Sequence, residues 1–487
     1  MATKYQVVTV TETQSWTLFL RQLHISSGVW ASFFIAGLCI GAPTVFVPQL
    51  RNQPNSSEVI NDEIASWIYT LPNLSAIPWV FIIPIYTHCT GRKAPFLTGV
   101  IGLFITNIIM YFSSQPYHIF IAEVIQGFVN AGNAAFLILI IPEYCSHKYR
   151  TIFLNIQSTS FYWGIWASNA IGTYLNWKYI SVLGIISSIY PMTVSFYPES
   201  PHWLASKKRF KDCEKSHRWL RGTSEESEKE LQDLIDSHKD GYGQKCKTKR
   251  LNLSTVVRTA KCKQFYMPLL LSILLGAQYN FSGKFVCSIY IIDIIKRMSG
   301  NEHAAYMGML ILDAVTIFGM YIGCLLTNKF KSRTLYFNLA FLSIALMFVI
   351  SLYLFLAKLG IVQENATVSL CLLIAYSIPI TCGPGMISMS IYSEIIPIRY
   401  QAISYVITSF IFISTCTILL KVSPIIFMEL GIHGLFLFFG ITCGILTVLL
   451  YIYLPETRNK TLLEIEQCFK DKKVSTEASS ELISIIR

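Results

Sequence analysis

The chain has 487 residues, of which 53% are hydrophobic and only 14% charged, and a mean hydropathy of +0.48; this excludes an ordinary set of soluble domains. The net charge of +11 does not point to nucleic acid, because the lysines and arginines lie in short segments between apolar stretches, as membrane topology requires. Thirteen cysteines are scattered singly, several inside apolar stretches (Cys39, Cys287, Cys371, Cys416), with no C-x-x-C and no metal-ligand spacing. They read as small apolar fillers, and neither a metal site nor a cofactor is expected.

About twelve apolar windows are long enough to cross a hydrocarbon layer of roughly 30 Å as helices. The residues at 1–27 read as a polar N-terminal segment without a cleavable leader. The first six spans lie near 28–50, 64–86, 94–113, 117–141, 152–174 and 177–197. A charged linker covers 198–264. Six more spans follow near 265–292, 304–327, 334–357, 368–393, 401–427 and 432–454, with a tail at 455–487. The halves are therefore 28–197 and 265–454. Basic residues place the loops holding Arg92 and Lys93, Lys148 and Arg150, and Lys329, Lys331 and Arg333 on the cytoplasmic side, together with the linker and both termini. The sequons at Asn55 and Asn365 then fall outside and are expected to carry glycans, whereas those at Asn73, Asn252, Asn280 and Asn459 should stay bare.

Within the linker, Pro201 suits a first helical turn, and Trp203, Leu204, Phe210, Cys213, Trp219 and Leu220 make an apolar stripe that stops near Gly222. Thr223 or Ser224 caps a second helix carrying Leu231, Leu234 and Ile235 on one face. Short amphipathic helices on the cytoplasmic surface are expected, with a flexible link over 240–249.

Three features recur in order. Gly91-Arg92-Lys93 after the second span returns as Lys331-Ser332-Arg333 after the eighth; Glu143 and Arg150 return as Glu394 and Arg399; Pro198-Glu199-Ser200 returns as Pro455-Glu456-Thr457. The near-constant offset argues for two homologous six-helix halves.

At this point the chain resembles the sugar porters of the major facilitator superfamily, and among them the facilitated trehalose transporter-like group. Pro198-Glu199-Ser200-Pro201-His202-Trp203-Leu204 matches P-E-S-P-x-W-L, and Pro455 through Leu462 matches P-E-T-K-G-K-T-L. Glu143 to Arg150 keeps E-x6-R, and Ser282-Gly283 followed by Tyr290 keeps part of the seventh-helix sugar motif. The resemblance implies an all-α membrane protein with the major facilitator fold, twelve transmembrane helices in two six-helix halves, and solute-lining helices one, four, seven and ten. It assigns Arg92, Glu143, Arg150, Glu199, Arg333, Glu394 and Glu456 to a cytoplasmic gate of ionic latches, with Arg399 standing two residues before the expected arginine, where Gln401 lies. Other departures are His88 and Cys89 in the first basic loop and Asn328 and Lys331 in the second.

The solute site departs further. Sugars offer many hydroxyls and favour amide partners, but Q-Q-L-S-G-I-N of the seventh helix becomes Tyr279-Asn280-Phe281-Ser282-Gly283-Lys284-Phe285, Met389 stands for a tryptophan, and Ser158, beside Gln157, stands for a glutamine. Candidate solute contacts are Gln157, Ser158, Asn280, Ser282, Lys284, Tyr290, Asp313 and Met389. A lysine within a span costs about 2.5 to 3.5 kcal/mol. Lys284 and Asp313 lie at matching depths, roughly 15 and 13 Å from the outer ends, so a buried pair, a solute-facing cation and snorkelling to the interface are all open, the last weakened by the distance. Glu123, where the family has arginine, reads as a hydrated interfacial residue. Span one carries no carboxylate, which favours facilitated transport over symport. His24, His88 and His202 stand alone, without a nucleophile or metal constellation, so no enzyme is expected.

The expected function is transport of a small polar solute, a sugar such as trehalose or a hexose, by a monomer in the plasma membrane. A carrier of a non-sugar, anionic or proton-linked solute through Lys284 and Asp313 is the first alternative. A transport-deficient nutrient sensor is the second.

Overall fold

Apolar stretches of this length have one way to satisfy their backbone in lipid, which is the internal hydrogen bonding of a helix. The computed structural model describes residues 2–51 (side chains from Trp16), 61–240, 263–299, 302–363, 365–396 and 401–456, apart from some side chains within helices. Among these, every regular element is helical. The chain divides into two units, Met1–Thr248 and Lys249–Arg487.

The first unit holds α1 (Ala2–Arg51), α2 (Asp62–Thr90), α3 (Lys93–Phe112), α4 (Pro116–Tyr144), α5 (His147–Tyr174) and α6 (Lys178–Met192), the last continued by a 3₁₀ turn at Thr193–Phe196. α1 runs from Ala2, so the helix that holds the first apolar span also takes in the residues before it. α2 starts where Asn61 accepts from the amide of Ile64 at 2.8 Å, a side-chain cap for a helix start. α1 and α5 meet through small residues. A Cβ on Gly37 would run into the carbonyl of Phe161, and one on Gly164 into that of Phe34. Close backbone approach of this kind is how helices associate where lipid removes the hydrophobic drive.

The linker is part of this unit. It forms α7 (Pro201–Ser206), α8 (Phe210–Arg221) and α9 (Glu225–Asp240). Leu204, Ala205, Cys213, Leu231 and Ile235 make a small core, with Trp203, Phe210 and Leu234 packed on it. Leu220, by contrast, is buried with Ile25, Val29 and Tyr144 in the core of the six-helix bundle, and Trp219 packs against it. Gln22 donates to the Leu220 carbonyl at 3.0 Å, and Arg21 to that of Trp219 at 2.8 Å. The expected stripe therefore divides between two cores, and α8 is docked on α1. The expected flexible link at 240–249 lies, but for Asp240, outside the described residues.

The second unit holds α10 (Lys263–Phe281), α11 (Lys284–Ile289), α12 (Ile291–Ser299), α13 (Glu302–Lys329), α14 (Ser332–Lys358), α15 (Ala366–Ile380), α16 (Met386–Ile395), α17 (Gln401–Glu429) and α18 (Gly431–Tyr453). Two expected continuous spans are broken. The seventh is divided into α10, α11 and α12, and the break between α10 and α11 falls where Gly283 adopts φ +72°, a left-handed conformation open to glycine and incompatible with a continuing helix. The tenth carries a π turn at Thr381–Gly385 between α15 and α16, where Gly383-Pro384-Gly385 weakens the helix and Pro384 lacks an N–H. Nine of the described segments are long and apolar enough to span a membrane by composition. α4, α5 and the divided seventh complete the twelve.

Candidate functional site

The ionic cluster grows from the short turn between α2 and α3. Gly91 follows α2 at φ +106°, and its missing Cβ leaves room for the carboxylate of Glu199. Glu199 Oε1 accepts from the amide of Arg92 at 2.9 Å, and Oε2 from that of Lys93 at 3.3 Å. A carboxylate thus covers the N-terminus of α3, where N–H groups lack partners and the helix dipole favours negative charge. Tyr144 donates to Oε1 at 3.1 Å.

Beside it the Arg92 guanidinium grips Glu143 with Nε at 3.1 and 3.0 Å from the two oxygens and Nη2 at 2.8 Å from Oε1. Forked contacts of this type fix geometry as well as charge. Ser200 donates to Glu143 at 2.5 Å, and Lys93 donates to the carbonyls of Ser195 at 2.7 Å and Tyr197 at 2.5 Å. Trp203 donates its indole N–H to the His88 carbonyl at 3.0 Å. The Pro198–Trp203 stretch is thereby stitched to the ends of α2, α3 and α4, all within the first unit. Gly91, Tyr144 and Ser200 belong to this cluster and were not singled out from the sequence, although Gly91 and Ser200 lie inside the motifs.

The remaining gate candidates are dispersed. Arg150 is half-buried and, among the described residues, donates no hydrogen bond to this cluster. Arg333 donates to the Tyr451 carbonyl at 2.8 Å, with its guanidinium over the Phe337 and Tyr451 rings. Glu456 is half-buried just past α18. Arg399 and Asn55 lie outside the described residues, as do the side chains of Glu394 and Met389. Asn365 is exposed and caps α15 by accepting from Thr367 at 2.9 Å.

Around the break in the seventh span, Asn280 and Tyr290 are engaged by a neighbouring helix and Ser282 by its own segment. Asn280 donates to the Phe412 carbonyl at 2.9 Å, Ser282 donates to the Tyr279 carbonyl at 2.6 Å, and Tyr290 donates to the Leu420 carbonyl at 3.0 Å. Tyr376 donates to the Ser282 carbonyl, which the break frees. Gln278 holds Tyr336 at 3.1 Å and Cys443 Sγ at 3.4 Å.

Lys284 is 8% exposed, and its ammonium donates to Thr316 on α13 and Ser377 on α15, each at 2.7 Å. Asp313 lies three residues before Thr316 on α13 and is buried. The cation is thus held by two hydroxyl acceptors from different helices. In the first unit Ser158 turns back to the Leu154 carbonyl at 3.2 Å. Gln157 lies on the α5 face aligned with Phe161 and Gly164, which meets α1, and neither end of its fully buried amide has a hydrogen bond. Glu123 is not hydrated as expected. It is 1% exposed, because the face of α4 that bears it turns into the bundle.

A helical bundle of this kind is shared with known transporters. The structure matches the MFS (major facilitator superfamily) proton:xylose symporter XylE bound to 6-bromo-6-deoxy-D-glucose with a TM-score of 0.74 at 15% identity, covering 94% of this chain and 100% of that one. It matches the inward open conformation of the xylose transporter XylE from E. coli with a TM-score of 0.71 at 13% identity, covering 92% and 100%. The fold is therefore that of the major facilitators, twelve helices in two six-helix halves. In sequence the chain is 23% identical to the facilitated trehalose transporter Tret1 of Apis mellifera ligustica over 92% of its own length and 89% of that protein. It is 24% identical to the protein of the same name from Polypedilum vanderplanki, over 93% and 88%. The family described as sugar (and other) transporter matches residues 26–469, and the chain belongs to that family of multi-pass membrane transporters.

Proposed function

We propose that this protein carries a neutral sugar, trehalose or a hexose, across the plasma membrane by facilitated alternating access, with both termini in the cytoplasm. The observation that carries the reading is the family match over residues 26–469, with trehalose transporters among the similar proteins. Lys284 supports a neutral cargo. Its ammonium is held by two internal hydroxyls, so binding an anionic solute would first require breaking those bonds. Of the expected solute contacts, Gln157 keeps an unpartnered amide and is the one we assign to the sugar.

The cluster of Arg92, Glu143 and Glu199 is the cytoplasmic clamp of the first unit. It ties α2, α3, α4 and the Pro198–Trp203 turn together, so that the unit moves as one block when access alternates. Arg333 and Glu456 are the counterpart in the second unit. The protein works as a monomer, with glycans on Asn55 and Asn365.

The test is uptake of labelled trehalose, glucose and a panel of organic acids into proteoliposomes, with and without a pH gradient. Saturable sugar flux that is equal in both conditions is expected. Flux of an organic acid alone, or flux that follows the pH gradient, would sink the proposal in favour of the Lys284 and Asp313 reading, and absence of any flux would favour a sensor.

A further inference from the structure

Amide groups sparse in the seventh span are plentiful in α4. Glu123, Gln126, Asn130 and Asn133 follow at steps of three, four and three, which confines them to about 80° of the helix circumference and spreads them over about 15 Å of its length. Counted from Pro116 at the outer end, they lie roughly 10 to 25 Å deep, across the middle of a hydrocarbon layer of about 30 Å.

This face lies between the two packing sides of α4. On one side Val129 is buried with Ile35, Ala36 and Leu103; on the other, Gly127 has no room for a Cβ against Ser75 of α2. Gln126 is 3% exposed and Glu123 1%. No described side chain gives a hydrogen bond to either oxygen of Glu123, and Nδ2 of Asn130 has no acceptor. Buried polar groups without partners are rare, and each calls for an explanation. Here the contrast with the second unit supplies one. Gln278 and Asn280 use their amides on Tyr336, Cys443 and Phe412, whereas on α4 both oxygens of Glu123 and Nδ2 of Asn130 have no partner among the described residues.

We infer that Glu123, Gln126 and Asn130 form a ladder on α4 that binds the hydroxyls of a neutral polyol. A carboxamide is donor and acceptor in one group, as a hydroxyl is. A carboxyl buried without a cation or donor is far less costly as the neutral acid, and in that form it too both donates and accepts. The ladder rests on the sugar reading above and assigns part of its recognition to the fourth helix.

The full-length protein in proteoliposomes provides the test, through zero-trans uptake of trehalose and glucose together with thermal unfolding of each variant. Asn130→Leu and Glu123→Met are expected to raise KM about tenfold while leaving thermal stability equal or higher, since each removes a polar group unsatisfied in the folded protein. Glu123→Gln, which keeps a neutral donor and acceptor, is expected to raise KM at least threefold less than Glu123→Met. Native KM in Asn130→Leu and Glu123→Met, or lowered thermal stability with native KM, overturns the ladder and leaves sugar transport standing. Glu123→Gln as damaging as Glu123→Met shows that charge is used, and overturns the neutral-polyol ladder. A wild-type protein that neither moves these sugars nor gains thermal stability from them overturns both readings.

Discussion

The carboxylate of Glu199 works as a remote cap. It reaches the first amides of α3 from more than a hundred residues away in sequence, and it does so because Gly91 leaves the space. Gly91→Ala should therefore act twice, by straining a backbone at φ +106° and by pushing Glu199 off the helix end. The combined cost is about 2 to 3 kcal/mol, read as a lower midpoint of thermal unfolding in detergent. Glu199→Gln keeps one acceptor oxygen but sets an NH2 donor where the other accepts a backbone N–H, and it loses the charge, so its midpoint should also fall below that of the native protein. At the same scale Lys284 shows what burial demands. Its two hydroxyl acceptors come from helices far apart in the chain, so no reading of the seventh span alone could find them.

At the scale of elements, α8 and α9 form a helical pair whose stability depends on pH. His217 is buried, and its ring nitrogens have no hydrogen bond. Burial, with the nearby Arg221 adding to it, pushes its pKa down to about 4 against an opposing pull from Glu230. The unfolded pair takes up a proton on this imidazole below its ordinary value near 6.5, whereas the folded pair does so only near 4. The stability is thus fully present above the ordinary value and is lost as pH falls through that window. Protection factors over 213–235, corrected for the intrinsic exchange rate at each pH, should be lower at pH 5 than at pH 7, and His217→Leu should flatten the difference. Helix existence, caps and the amphipathic stripe of this pair were legible in sequence, because they rest on local spacing. The division of the stripe was not: Leu204 and Cys213 enter one core and Leu220 another, a choice made by docking on α1.

At the scale of the whole molecule, two six-helix halves and their inside–outside order rest on charge placement between spans. Orientation is open to one direct check. Expressed in a eukaryotic cell, the protein should lose a glycosidase-sensitive mobility step on Asn365→Gln and none on Asn459→Gln; the reverse result would invert the topology.

The sequence by itself determined the membrane class, the helix count and the internal repeat, and it singled out Arg92, Glu143 and Glu199, which the structure brings together. Hydrophobic length is a property of each segment, and the motifs carry their own spacing. Only tertiary structure decided which polar groups are already satisfied. Asn280, Ser282 and Tyr290 look like solute contacts in sequence yet are bonded to their surroundings, while Glu123 looks hydrated and is buried without a donor among the described residues. A polar side chain in a membrane helix has the same identity whether it meets a carbonyl, water or solute. The neighbour that decides among these is brought to it by the packing of other helices.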